Sequence, residues 1–170
     1  MGRAGMILRA LTLGAGLAGA ATTSQFPQFS QQYTQRLGGA VDALAEVVAD
    51  FDASAAAVGL NRQEALAQMQ GTDFLDRRRA DMAGTFARFE RLSADLAALE
   101  GQGPFMRAYH LPRLSDGQIA QAAWEVYQPA VPLNFAGMIF AVFGFLLGAA
   151  AFGVLFKVLR WPFRGRANPA

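Results

Sequence analysis

Residues 133–156 read LNFAGMIFAVFGFLLGAAAFGVLF, an unbroken run from Leu133 to Phe156 without a charged side chain. At 1.5 Å of rise per residue, such a run forms a helix roughly 36 Å long, enough to cross ~30 Å of hydrocarbon. The same run could be the buried core helix of a globule. A chain of 170 residues, however, is too small to wrap it on every side. The hydrophobic fraction of 53% against only 16% charge and a mean hydropathy of +0.21 agree with a membrane segment. The fold class expected is all-α and integral to a membrane.

At the other end, Met1–Ala10 is short and basic and Leu11–Ala21 is apolar and small. This is also the outline of a secretory signal, with Ala18-Gly19-Ala20 as a small-residue cleavage site. The uncharged stretch runs on from Ala10 to Gln35, which favours a retained span over about 4–25, with Arg9 snorkelling to the headgroups.

Charge distribution sets the expected orientation. The two ends carry Arg3, Arg9, Lys157, Arg160, Arg164 and Arg166 and no acid. Residues 23–132 carry the other nine arginines and all 13 acids, a net charge of −4. Short basic flanks stay in the cytoplasm, so both termini are expected there and the acidic middle, about 26–131, in the periplasm of a bacterial inner membrane. Arg9, Arg160, Trp161 and Arg164 would anchor the cytoplasmic interface, and Trp124 and Tyr127 the opposite one.

Both spans carry small residues; the first has Gly14, Gly16, Ala18, Gly19 and Ala20, of which Gly14 and Ala18 are taken as its contact face. In the second, Gly137, Ala141, Gly144 and Gly148 share one face, and Gly144 with Gly148 forms a GxxxG. Small faces let helix backbones approach closely, which drives association where lipid removes the hydrophobic incentive. These six residues are the expected helix–helix interface, with its partner left open: the other span, another copy or another protein. Phe140, Phe143, Phe145, Leu146, Phe152 and Phe156 are expected opposite the small stripe.

Between the spans, Phe26, Phe29, Tyr33, Leu37, Val41, Leu44, Val48, Phe51, Ala55 and Val58 recur in steps of three and four, one long amphipathic helix capped at Gly59. Asn61–Glu64 resembles a capping box opening a short helix. A second long stripe follows, Leu75, Met82, Phe86, Phe89, Leu92, Leu96 and Leu99. The two stripes imply an antiparallel, coiled-coil-like hairpin over 26–100. Residues 101–131 are expected to be a loop, 101–114, then a short juxtamembrane amphipathic helix opened by a capping box at Ser115–Gln118. The second span occupies 132–159 and a basic cytoplasmic tail 160–170.

Little in the sequence points to chemistry. There is no cysteine, so no disulfide or thiolate. His110 is the sole histidine and lacks the partners that an imidazole metal site needs. Asp42, Glu46 and Asp50 stack along one helix face, which reads as solvated surface and not as a cation cage. Arg77-Arg78-Arg79 sits among Asp73, Asp76 and Asp81, which neutralise it locally. No GxSxG, SxxK or phosphate-loop pattern occurs. No catalytic, metal or cofactor site is therefore expected, no nucleic-acid partner and no small-molecule substrate. Neither span has an ionisable group at depth, which argues against a monomeric transporter.

The stretch SQFPQFSQQYTQRLGGAVDAL, Ser24–Leu44, preceded by LRALTLGAGLAGA, and the segment TDFLDRRR, Thr72–Arg79, resemble an uncharacterised family of small proteobacterial inner-membrane proteins, a domain of unknown function. The resemblance implies two spans and supplies no catalytic residue. The expected function is a non-enzymatic accessory or scaffold subunit of a membrane assembly, such as a bioenergetic or photosynthetic one, in contact with lipid and a membrane-protein partner. The alternative is a self-assembling pore or ring.

Overall fold

The structure, a computed structural model, describes residues 3–127 and 134–160. Every regular element among them is helical: α1 (Arg3–Ser24), α2 (Phe26–Ala57), α3 (Arg62–Gln68), α4 (Asp73–Leu99), α5 (Pro104–Tyr109), a 3-10 turn (Leu111–Arg113), α6 (Gly117–Glu125) and α7 (Phe135–Arg160). The chain divides into two compact units. One draws on the two ends of the chain and holds α1 and α7; the other runs from Ser30 to Tyr127.

In the first unit, α1 packs along α7. Two helical stretches, one beginning at Gly5 and the other Phe135–Arg160, are long and apolar enough to cross a membrane. Only 6% of the most apolar window of each is buried within the protein. That exposure argues against a buried core helix in Phe135–Arg160, because a core helix would be covered by protein and this one is not. Asn134 caps α7: its Oδ1 accepts the Gly137 N–H at 2.7 Å. The hydroxyls of Thr12 and Thr22 in α1 donate to the carbonyls of Leu8 and Ala18 at 2.9 Å, so each polar side chain is satisfied within its own helix.

The second unit is built on the two apolar stripes. Tyr33, Leu37, Val48 and Ala55 of α2 and Phe86, Leu92 and Leu99 of α4 are buried. The rings of Phe51 and Phe86 meet edge-on at 5.1 Å. Local signals act where the residue types place them. Gly59, Gly71 and Gly101 hold φ of 76°, 103° and 70°, the left-handed region that ends a helix cheaply only at glycine. Asn61 and Glu64 form a reciprocal capping box: the Glu64 N–H donates to Asn61 Oδ1 at 2.9 Å and the Asn61 N–H to Glu64 Oε2 at 2.8 Å. Thr72 caps α4 through the Leu75 N–H at 3.3 Å.

Two details differ from the sequence expectation. Residues 101–114 are not an open loop; they hold α5 and the 3-10 turn, which are too short to show a hydrophobic period. The cap of α6 is Asp116 and not Ser115, with one carboxylate oxygen accepting the N–H groups of Gln118 and Ile119 at 3.1 Å. A carboxylate at a helix start is also favoured by the helix dipole.

Candidate functional site: the helix–helix interface

Gly19 and Gly144 define the crossing of α1 and α7. A Cβ added to either glycine would collide with the other's carbonyl oxygen, so at this level backbone lies against backbone. One turn further along α7, a Cβ on Gly148 would strike the Ala15 carbonyl and come within 3.4 Å of Gly16 Cα. The ring of Phe145 lies over Gly16, where a Cβ would sit only 2.6 Å from it. Thr23 adds a polar contact: its hydroxyl lies 2.6 Å from the Phe140 carbonyl oxygen of α7 and 2.9 Å from that of Gly19 in its own helix. Phe26 and Phe140 close one end, with ring centroids 5.3 Å apart.

Gly144 and Gly148 of α7 therefore meet α1. Gly137 and Gly144 are buried and Ala141 and Gly148 half-buried. The α1 residues that meet them are Gly16, Gly19 and Thr23. Gly14 and Ala18 are exposed, and nothing lies within 4 Å of a Cβ placed on Gly14. At 100° per residue the two faces of α1 point roughly 150° apart. Both are lined by small residues, so spacing does not distinguish them; the Thr23 hydroxyl and the fit of Phe145 over Gly16 do. Phe140 and Phe145 likewise turn towards α1, while Phe143 and Leu146 stay outward at 57% and 61% exposure.

Of the expected membrane-interface anchors, Arg9 is exposed on α1 and Arg160 is exposed with its guanidinium 5.4 Å from the Phe156 ring centroid. Trp124 is exposed and stacks on the buried Tyr127 at 5.6 Å. Burial raises the Tyr127 phenol pKa above its ordinary value. Trp161 and Arg164 lie outside the described residues.

The second unit holds a polar cluster that residue spacing does not reveal. The Asp116 carboxylate, 7% exposed, accepts from Arg88 at 3.3 Å and Arg91 at 3.4 Å, while its backbone N–H donates to the fully buried Tyr33 hydroxyl at 3.0 Å. Arg88 also donates to Gln118 Oε1 at 2.7 Å. The equally buried Asp95 accepts from Arg113 at 3.0 Å. These contacts join α2, α4, the 3-10 turn and α6, and they serve cohesion: each buried carboxylate faces a guanidinium. Burial raises the Tyr33 phenol pKa, against the lowering effect of the Asp116 N–H.

Other charged groups are surface features. Asp42, Glu46 and Asp50 are exposed. Arg77 and Arg78 face Asp81 at 3.7 and 3.8 Å, and Arg79 faces Asp76 at 3.3 Å. Asp52 of α2 accepts from Arg62 of α3 at 2.8 Å, which holds its carboxyl below the ordinary range, and Arg62 lies 4.7 Å over the Phe86 ring. His110 meets Tyr109 edge-on at 5.2 Å. Among the described residues no three His, Cys, Asp or Glu side chains gather as a metal-binding group.

The geometry defines an all-helical protein with two candidate membrane spans that cross each other through glycine. A family model described as Protein of unknown function (DUF2937) matches residues 7–165, and the chain belongs to that family. Neither the curated proteins nor the solved structures include a match to it.

Proposed function

We propose that the protein is a non-enzymatic accessory or scaffold subunit of a bacterial inner-membrane assembly. In this reading both termini are cytoplasmic, and α2 and α4 form an antiparallel hairpin presented to the periplasm. The observation that carries it is the α1–α7 crossing. The chain uses one glycine face of each helix, Gly16 and Gly19 of α1 against Gly144 and Gly148 of α7, on itself and so makes a two-helix membrane unit. What that unit offers outward is large and apolar: Met138, Ile139, Val142, Phe143, Leu146 and Leu147 are each 43–61% exposed. Such a face suits lipid or the flank of a larger membrane protein. The Phe51–Phe86 contact supports the hairpin, and the acidic middle between basic ends supports the orientation.

A second reading, a homo-oligomeric ring or pore, is favoured by one feature: the small face of α1 at Gly14 and Ala18 is left outward and could receive another copy. Mild-detergent purification of the tagged chain, followed by mass spectrometry and particle sizing, separates the two. Co-purification of a larger complex in fixed ratio supports the accessory role. Recovery of self-oligomers alone overturns it.

A further inference from the structure

The contacts between α1 and α7 set their register. Phe140 meets Thr23, Gly144 meets Gly19 and Gly148 meets Ala15. Four residues forward on α7 thus match four residues back on α1, and the two helices are antiparallel. Three more steps of four bring Arg160 level with Arg3, and the same register sets Arg9 level with Val154. Leu8 and Thr12 of α1 and Phe152, Gly153 and Phe156 of α7 are half-buried, as contact continued to this end requires.

The start of α1 therefore lies beside the end of α7. The partial charges of the two helix dipoles are opposite there and offset each other. The side-chain charges are not offset. Arg9, Lys157 and Arg160 all belong to this end, and neither helix contains an aspartate or a glutamate.

One edge of the pair joins this charge to an aromatic strip. Phe145 lies over Gly16. Phe152 and Phe156 follow it after two and three helix turns, with their rings stacked at 6.3 Å. The Arg160 guanidinium is 5.4 Å from the Phe156 ring centroid and so continues the strip. On α1, Arg9 stands two turns before Gly16 and only about 20° from it around the axis, which puts it on the same edge. Arg9 and Arg160 differ in level by six residues, about 9 Å of rise, with Lys157 at an intermediate level. A row of aromatic rings that ends in guanidinium groups matches an acyl chain that ends in a phosphate. Guanidinium pairs with phosphate oxygens through short, charge-assisted hydrogen bonds, and basic pockets between membrane helices hold anionic headgroups.

We propose that this end of the α1–α7 pair binds an anionic phospholipid. Arg9 and Arg160 hold its phosphate, Lys157 adds to the positive field, and one acyl chain lies along Phe156, Phe152 and Phe145. The inference rests on the reading of α1 and α7 as spans. It depends neither on the accessory role nor on which compartment holds the termini.

The full chain in mild detergent is titrated with phosphatidylglycerol or with phosphatidylcholine of the same acyl chains, and bound lipid is counted by native mass spectrometry. Phosphatidylglycerol should bind several-fold more tightly. Arg9→Gln and Arg160→Gln should each weaken it about fivefold and leave phosphatidylcholine unchanged. Arg77→Gln, a surface arginine of α4 beside Asp81, should bind as the unaltered chain does. Equal binding of the two lipids by the unaltered chain overturns the proposal, whatever the variants do. So does full phosphatidylglycerol binding in both Arg9→Gln and Arg160→Gln. Displacement of the lipid by millimolar inorganic phosphate would make the site one for a free anion and would equally overturn it. Co-purification of a partner, the test of the accessory role, can succeed or fail independently of these readouts.

Discussion

The hydroxyl of Thr23 lies 2.6 Å from the carbonyl oxygen of Phe140, across the contact of α1 with α7. One proton serves two acceptors here, because the Gly19 carbonyl is only 2.9 Å away. Thr23→Val keeps the shape and removes the donor. The helix pair should weaken by about 1 kcal/mol, the scale of interhelical hydrogen bonds in membranes. Thermal unfolding in detergent, followed by circular dichroism, measures it; an unchanged midpoint would show that the bond contributes nothing net.

Gly144→Leu should separate α1 from α7, because even a Cβ at this position meets Gly19 backbone. Overpacking of this kind costs roughly 1–3 kcal/mol or more. Gly14→Leu, on the open face, should leave stability within about 0.5 kcal/mol. Proximity of paired fluorophores on the two helices reads both variants. Equal effects would contradict the assignment of the Gly16–Gly19–Thr23 face.

Asp116→Asn and Asp116→Ala dissect the polar cluster. Asparagine still caps α6 and loses only the charge facing Arg88 and Arg91, whereas alanine loses the cap as well. The expected destabilisation is about 1–2 kcal/mol for Asn and roughly 3 kcal/mol for Ala. The share of Arg91 is small, because its side chain is 59% exposed. Denaturant midpoints of the full chain in detergent give the order, and Asn as damaging as Ala would shift the weight from the cap to the charge.

Alkaline pH should loosen the second unit through Tyr33. Its phenol pKa is raised by burial, so the unfolded chain sheds this proton first, near pH 10, while the folded chain still holds it. The unfolded state then binds fewer protons, and stability falls as pH rises from about 10 through the folded pKa. Ultraviolet titration of phenolate absorbance should show late-ionising tyrosine, part of which disappears in Tyr33→Phe. Loss of none of it would place the delayed ionisation at Tyr127 alone.

Asp52 contributes to the acid limb. Its pKa is lowered by the hydrogen bond from Arg62, so its contribution is complete above the ordinary aspartate value and is lost as pH falls through the lower folded one. Asp52→Asn should flatten the stability profile below about pH 4. An identical acid limb in the variant would assign that slope to other carboxylates.

What could be read from the residues was local or periodic. The uncharged run at 133–156, the three-and-four spacing of the apolar stripes and the Asn61–Glu64 box each carry their geometry within a turn or two of helix. What escaped depends on residues far apart. Nothing near Gly14 or Gly16 says which side of α1 meets α7; Thr23 and Phe145 decide it from beyond. Phe145 reads as a residue opposite the small stripe, yet its ring lies over Gly16 of α1, where there is no side chain to meet it. Tyr33 read as one more member of an apolar stripe, and its hydroxyl acquires meaning only opposite the backbone of Asp116, 83 positions later.

The Thr23–Phe140 contact joins residues 117 positions apart. Everything between them is a loop whose two ends are fastened together. In proteins that possess cysteine, a disulfide does this, and closing a loop of about 100 residues restricts the unfolded chain by an amount worth roughly 4–5 kcal/mol. This chain has no cysteine. The glycine crossing brings the two ends together only while α1 and α7 stay paired, so, unlike a disulfide, it is insensitive to redox state and places no constraint on the fully unfolded chain.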